Sequence, residues 1–324
     1  MKRNLKKAKE RILNQNNNGI TLIALVVTIV VLLILAGITV TLLTGENGLL
    51  TRATGAKKAQ EKAAQSDQDA IDDLSYVFLD YEEDMQEVKT VEEFLAAIEN
   101  GGNIKVLKDL VFPENTMIRL IDKEEIYINL NGHKLSCIDA QEENNSYYLF
   151  QIMNSSLRIY NGELEIEATI NGSWNRYSTV LSVSVGGKLD LKNVKVTHKG
   201  GTDMNYAVDL LPIGAANITV NLNNCEIYSA YRSVRIWYNI RNSDEMINIS
   251  IKNSKISGDN LAFWLQNPSP QNTEEEIREH TNIDIYNNNN TFIVKQEGKP
   301  PIMYFGSTSI EKVYYDETGK VVEY

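Results

Sequence analysis

The chain has 324 residues, of which 43% are apolar and 23% charged, and its formal net charge is -11. This composition excludes a disordered chain and a collagen-like one. The negative charge argues against a nucleic-acid-binding protein, because phosphate recognition needs a basic surface. Two cysteines and three histidines argue against a disulfide scaffold and a metal centre, so we expect no metal and no cofactor.

The N-terminal region begins with a basic segment and continues into an apolar one. Residues 1–11 hold six Lys and Arg against one Glu, and residues 20–43 carry no charge. A helix over residues 20–43 would span ~36 Å, enough to cross a ~30 Å hydrocarbon core. The alternative, a buried core helix, is rarely apolar on all faces over this length. We therefore expect a single-pass transmembrane helix with a cytoplasmic N-terminus and an extracellular remainder.

The border between these segments resembles the prepilin leader of type IV pilins and pseudopilins, because Gly19 is followed by an apolar helix that starts Ile-Thr-Leu-Ile. A secretory signal peptide fits less well, since the apolar segment is too long and no A-x-A site follows it. The resemblance implies cleavage between Gly19 and Ile20 by a prepilin peptidase-like enzyme, with methylation of Ile20. It also implies pilus or pseudopilus subunits as partners, although Ala24 stands where the family usually has the Glu that contacts a neighbouring subunit.

Residues 44–89 are predicted to form an amphipathic, acidic helix that acts as a stalk. Apolar residues recur there at steps of three and four: Ile71, Leu74, Phe78, Tyr81 and Met85. One stripe of this helix should therefore be buried. Its many acidic residues are typical of a solvated helix face. A calcium site is the alternative, but the Asp-x-Asp-x-Asp-Gly loop is missing.

A five-residue pattern, apolar-x-apolar-x-Asn or Gly, recurs through the rest of the chain. It ends at Gly132, Asn161, Asn193, Asn224, Asn253 and Asn287. Repeats of 29 to 34 residues are typical of a solenoid, and the alternation predicts strands. Asn or Gly at the fifth position predicts a corner with positive φ, and stacked Asn amides should hydrogen-bond along the axis.

This repeat resembles the right-handed parallel β-helix of the pectate-lyase-like superfamily. We expect a mainly β fold in which about six coils, residues 90–310, follow the long N-terminal helix and its transmembrane segment. Thr90 and Glu93 predict a capping box on a helix that closes the first coil, and residues 311–324 predict a C-terminal hairpin. Cys137 and Cys225 fall three rungs, or ~14 Å, apart, so both should be unpaired thiols.

A second strand in each repeat predicts a column of outward side chains. The column contains Asp209 and Arg235, with Trp237 and Trp264 beside them. Aromatic faces stack on sugar rings and charges fix their orientation, so these four residues predict a glycan- or partner-binding strip. The alternative is a structural ion pair between Asp209 and Arg235, with the Trp residues beneath loops.

The sequence therefore predicts a membrane-anchored, pilin-like protein of the bacterial cell surface, with a structural or adhesive, glycan-binding β-helix head. The alternative is a surface-tethered polysaccharide lyase or glycoside hydrolase. Glycoside hydrolysis generally needs two carboxylates at a set separation. The strip offers only Asp209, since Asp203 and Asp259 fall in loops, so we expect no catalytic residues.

Overall fold

The structure is a computed structural model in two compact units, Met1–Glu82 and Glu83–Tyr324, each considered by itself. The described residues are 25–34, 56–57, 60, 85–141, 146–171, 176–201, 203–212, 217–238, 245–269, 272–286, 288–305, 313–316 and 318–323.

In the first unit, the described residues 25–34, 56–57 and 60 are helical. Within the described part of the chain, no helix combines the length and the apolar character needed to span a membrane. The predicted long N-terminal helix with a transmembrane segment at residues 20–43 is therefore wrong. The apolar composition indicates that such a helix would partition into a membrane, but composition alone does not establish a helix of that length.

The leader and most of the predicted stalk, residues 44–89, lie outside the described residues, and so do Gly19 and Ile20. At the end of the stalk, Gln86–Val88 form a strand rather than the predicted helix. Val88 pairs with Val106 in a parallel ladder, and these backbone hydrogen bonds outweigh the helical pattern of the preceding sequence.

The second unit is mainly β and forms a solenoid of about five turns, against about six predicted. Each turn contributes strands to three parallel ladders in succession. Ladder 1 contains β1 (Gln86–Val88), β2 (Ile104–Val106), β5 (Glu125–Asn129), the first halves of β8 (Ser156–Ala168) and β10 (Lys188–Lys199), β12 (Ile218–Asn223), β15 (Ile247–Lys252) and β18 (Thr281–Asp284).

Ladder 2 contains β3 (Leu110–Val111), β6 (Lys134–Asp139), the second halves of β8 and β10, β13 (Glu226–Ser229), β16 (Lys255–Gly258) and β19 (Thr291–Val294). Ladder 3 contains β4 (Ile118–Ile121), β7 (Tyr147–Met153), β9 (Ser178–Ser184), β11 (Asn205–Leu211), β14 (Arg232–Trp237), β17 (Leu261–Gln266) and β20 (Ile302–Tyr304).

The core lies inside the three ladders and is built from apolar side chains stacked in register. In ladder 1, Leu157 pairs with Leu189, which pairs with Val220, and all three are fully buried. One coil alone would leave its apolar side in water, whereas rungs stacked at ~4.8 Å bury it continuously. In-register stacking is therefore the main source of stability.

The corner between ladders 1 and 2 is formed by the predicted Asn residues. Asn161, Asn193, Asn224 and Asn253 have φ of 59°, 54°, 52° and 50°. The amide of Asn193 donates to Asn161 at 3.0 Å, and that of Asn224 donates to Asn193 at 2.7 Å. The predicted positive-φ corners and amide ladder are confirmed. In the last repeat, Asn289 has φ of 56°, and the predicted corner residue Asn287 lies outside the described residues.

Both ends of the solenoid carry additional elements. Helix α1 (Val91–Glu99) packs on β1 and β2 and begins with the predicted capping box, in which the Thr90 hydroxyl accepts from the Glu93 amide at 3.1 Å. At the other end, β21 (Val313–Tyr315) and β22 (Val321–Val322) form an antiparallel hairpin beside β20. A second short helix, α2 (Glu274–Glu279), precedes β18.

Cys137 and Cys225 are buried and free, as predicted. Cys137 lies on β6 and Cys225 directly precedes β13, with β8 and β10 between these strands in ladder 2. Three rung spacings, or ~14 Å, therefore separate them, beyond the reach of a disulfide bond.

Candidate functional site

In the strands of ladder 3, the alternation of inward and outward side chains breaks at one position, and this break leaves two columns of side chains on the outer face. In β7, β9, β11 and β17, two neighbouring residues both enter the core: Leu149 and Phe150, Val180 and Leu181, Ala207 and Val208, Ala262 and Phe263. Residues on either side of each pair therefore face outward. One outer column contains Ser182, Asp209, Arg235 and Trp264 in register. The other contains Tyr148, Thr179, Tyr206 and Arg232.

The centre of this outer face is a two-point ion pair. Arg235 Nε donates to Asp209 Oδ1 at 2.8 Å and Nη2 donates to Oδ2 at 2.7 Å, and both side chains are fully buried. Burial alone would lower the pKa of Arg235, but the charge of Asp209 opposes it and the pKa is raised. Because breaking this pair would leave an uncompensated charge in a buried position, the contact is costly to break.

Three aromatic rings enclose the guanidinium of Arg235. Its Cζ lies 4.0 Å from the ring centre of Tyr206, 4.7 Å from that of Tyr177 and 4.8 Å from that of Trp237. Each distance is within the range of a cation–π contact, which strengthens when water is excluded. Burial raises the pKa of Tyr206, so its hydroxyl stays protonated.

A second arginine stack is formed by Arg232, three residues before Arg235 on β14. Cζ of Arg232 is 3.9 Å from the ring centre of Trp264 and 4.4 Å from that of Tyr231. Burial lowers the pKa of Arg232 below its usual value. Trp264 is 3% exposed, packs with Leu261, and donates from Nε1 to the carbonyl of Phe305 at 3.0 Å. Trp264 is therefore part of the packing.

The structure brings together the four residues predicted for the strip, but it does not expose them as predicted. Asp209, Arg235 and Trp264 are buried, and Trp237 is partly exposed. The predicted open strip is corrected to a closed layer, because aromatic side chains from neighbouring turns cover the ion pair. What remains accessible is a set of partly exposed rings that we call the tyrosine rim: Tyr148, Tyr177, Tyr231 and Trp237.

Sequence reasoning missed the tyrosines, although their spacing carried a signal. Tyr148, Tyr177 and Tyr206 follow one another at intervals of 29 residues, close to the repeat length. Tyr148 and Tyr206 do share one column of ladder 3, on either side of Thr179, whereas Tyr177 lies two residues before Thr179 and outside that column.

The outer face of ladder 2, which we call the charged face, contains a groove of about 370 Å³. Its lining comes from β8, β10, β13 and β16: Glu165, Lys195, Thr197, Lys199, Glu226, Tyr228, Lys255 and Ser257. Burial favours the neutral form of Glu165, but bonds from Lys199 and Lys134 outweigh it and the pKa is lowered. Glu165 is thus ionised and unsuited to donate a proton at neutral pH.

A buried polar cluster lies near the junction of ladders 2 and 3. His198 Nε2 is 2.9 Å from the Ser178 hydroxyl, and Arg176 Nη2 donates to Asp139 Oδ2 at 2.8 Å. All four side chains are fully buried. Burial lowers the pKa of His198 to about 3, so the ring is neutral. A Ser–His contact without solvent access cannot receive a substrate, and we assign it to the packing.

Among the residues that the structure describes, no group of three or more His, Cys, Asp or Glu side chains is placed to hold a metal ion.

Comparison of the chain with protein-family models, with curated proteins and with solved structures finds no match.

The neutral state of His198 predicts a specific loss of stability in acid. The folded pKa, about 3, lies below the ~6.5 of an unfolded His, so the unfolded state binds the proton more tightly. The contribution of neutral His198 to the free energy of unfolding is therefore complete above about pH 6.5. It falls by at most ~1.4 kcal/mol per pH unit as the pH drops toward 3. His198→Gln should flatten the dependence of the unfolding free energy on pH, measured by urea denaturation.

An unchanged slope in His198→Gln would contradict the buried neutral assignment.

Proposed function

We propose that the chain is a non-catalytic surface protein whose solenoid is a rigid structural or adhesive module, and that the tyrosine rim binds a glycan. The observation that carries this proposal is the set of four partly exposed aromatic rings over the buried ion pair of Asp209 and Arg235. Aromatic rings offer apolar faces, and their hydroxyl and indole groups offer hydrogen bonds, which together suit a sugar ring.

The rigidity of the rim supports this role. Tyr177 and Trp237 are held against Arg235, and their rings meet edge to face with centres 5.9 Å apart. Tyr231 is stacked on Arg232. Rings that are already ordered lose little side-chain entropy on binding, so more of the contact energy remains as affinity.

An enzyme that cleaves polysaccharides is the second candidate. It is favoured by the outward carboxylates of Glu163 and Glu165, which lie two residues apart on β8. However, a glycosidase acid needs a raised pKa, whereas the pKa of Glu165 is lowered. The other carboxyl groups with shifted pKa values also shift downward: Asp109, Glu276 and Asp316. The geometry therefore supports binding better than hydrolysis.

The surface location and pilin-like processing belong to the same proposal and are supported by the leader sequence, residues 1–19, followed by Ile20. Mass spectrometry of the chain from its native host should find a mature N-terminus at a methylated Ile20. An intact Met1 would contradict processing and remove the support for pilus partners.

Substitution of the two Trp residues separates binding from packing. On a glycan array with the full chain, Trp237→Ala should lower the signal at least tenfold, because it removes a ring of the rim. Trp264→Phe should retain the signal, because residue 264 is buried beneath the surface. Circular dichroism should show both variants folded.

Equal binding by the parent chain and Trp237→Ala would contradict a glycan site at the rim. Release of reducing ends from a bound glycan by the parent chain would instead support the enzyme.

A further inference from the structure

The charged face carries a column in which the sign of charge alternates at every rung. The residues follow one another in register from β6 to β16: Lys134, Glu163, Lys195, Glu226 and Lys255. Within the chain, Lys195 Nζ lies 3.7 Å from Glu163, and Lys255 Nζ lies 3.2 Å from Glu226. Opposite charges on adjacent strands stabilise the stacking, which accounts for part of the pattern.

These charges remain accessible to a second partner. The side chains of Glu163, Lys195, Glu226 and Lys255 are 43%, 47%, 49% and 50% exposed. An ammonium group has three donors and a carboxylate accepts several hydrogen bonds. A surface of opposite charge can therefore add contacts without breaking those within the chain.

We propose that the charged face binds the same face of a second copy of this chain, about a twofold axis that passes between β10 and β13 and reverses the order of the rungs. Lys195 then faces Glu226 of the second copy, and Glu163 faces Lys255 of the second copy. Because a twofold interface repeats each contact, this arrangement makes four pairs of opposite charge. A chain with one uniform charge on this face would repel its copy.

The groove lies at the centre of this interface. Thr197 on β10 and Tyr228 on β13 are register neighbours that line it. In the dimer, the ring of Tyr228 faces Thr197 of the second copy, and the two grooves meet. One contact in this arrangement is unfavourable, because Glu167 approaches Asp259 of the second copy and both are acidic. Lys295 Nζ lies 2.9 Å from Asp259 in the same chain and reduces this repulsion.

The size of the face predicts a weak dimer that is sensitive to salt. Six strands at ~4.8 Å cover ~24 Å along the axis, and two or three outward residues per strand give roughly 400 Å² per copy. This is smaller than in stable complexes, so the dissociation constant should be micromolar or weaker. Half-exposed pairs are screened, so affinity should fall between about 0.1 M and about 1 M salt.

Sedimentation equilibrium of the full chain tests the proposal with a charge swap. The parent chain should show a reversible monomer–dimer equilibrium at low salt. Lys195→Glu and Glu226→Lys, each alone, should weaken it at least tenfold. The double variant should restore it to within a few-fold of the parent, because Glu at 195 then faces Lys at 226 of the second copy. Lys188→Glu, an exposed reversal on ladder 1, should have no effect.

A monomeric parent chain at concentrations up to roughly 1 mM would overturn the proposal. The proposal would also be contradicted if Lys195→Glu and Glu226→Lys each dimerised as strongly as the parent chain, because association would then use another surface. A double variant that is folded by circular dichroism but remains monomeric would contradict the pairing of residue 195 with residue 226.

Discussion

The folded chain depends on one constraint, which is that no coil of the solenoid can bury its own apolar side. Each turn must be covered by the next, and the parallel ladders hold the turns in register at ~4.8 Å. A corner that repeats in every turn must then repeat its backbone geometry, which explains why Asn or Gly stands there. Asn adds a further contribution, because its amide hydrogen-bonds to the Asn of the adjacent turn, as between Asn193 and Asn161.

The same constraint determines what the outer faces present. Residues far apart in sequence become neighbours when their turns stack, so any side chain type that recurs at the repeat length becomes a column. On ladder 3 this brings Asp209 against Arg235, with tyrosines over them. On ladder 2 it produces alternating charge over a shallow groove. The first face carries partly exposed rings over a buried ion pair, whereas the charges of the second are about half exposed.

Much of the solenoid could be predicted from the sequence, because its determinants are local and repeated. Alternating apolar residues predicted strands, Asn161 and its equivalents predicted the corners, and Thr90 with Glu93 predicted the capped helix. These features depend on a few adjacent residues and on the length of the repeat. In the last repeat, a run of Asn at 287–290 offers several positions with equivalent turn chemistry, and among the described residues Asn289 has positive φ.

Exposure was harder to predict, because it depends on contacts between turns. The outward direction of Asp209 and Arg235 followed from alternation, but their burial follows from aromatic rings that pack against Arg235. Alternation alone also cannot locate the position where it breaks, at Ala207 and Val208, which both belong to the core. Similarly, the apolar composition of residues 20–43 predicted a spanning helix that is not found among the described residues.

Spin-label distances along one column test the in-register stack most directly. Positions 134 and 291 are connected by five rungs of ladder 2, and positions 163 and 291 by four. Labels on cysteines introduced there should lie ~24 Å and ~19 Å apart, in dilute samples. The native cysteines are buried and should not react, and burial raises the pKa of Cys225 to about 12. A distance for the pair 163 and 291 that is shorter by one rung spacing than the distance for the pair 134 and 291 would support the stack. Equal distances, or a distance that does not scale with the number of rungs, would contradict it.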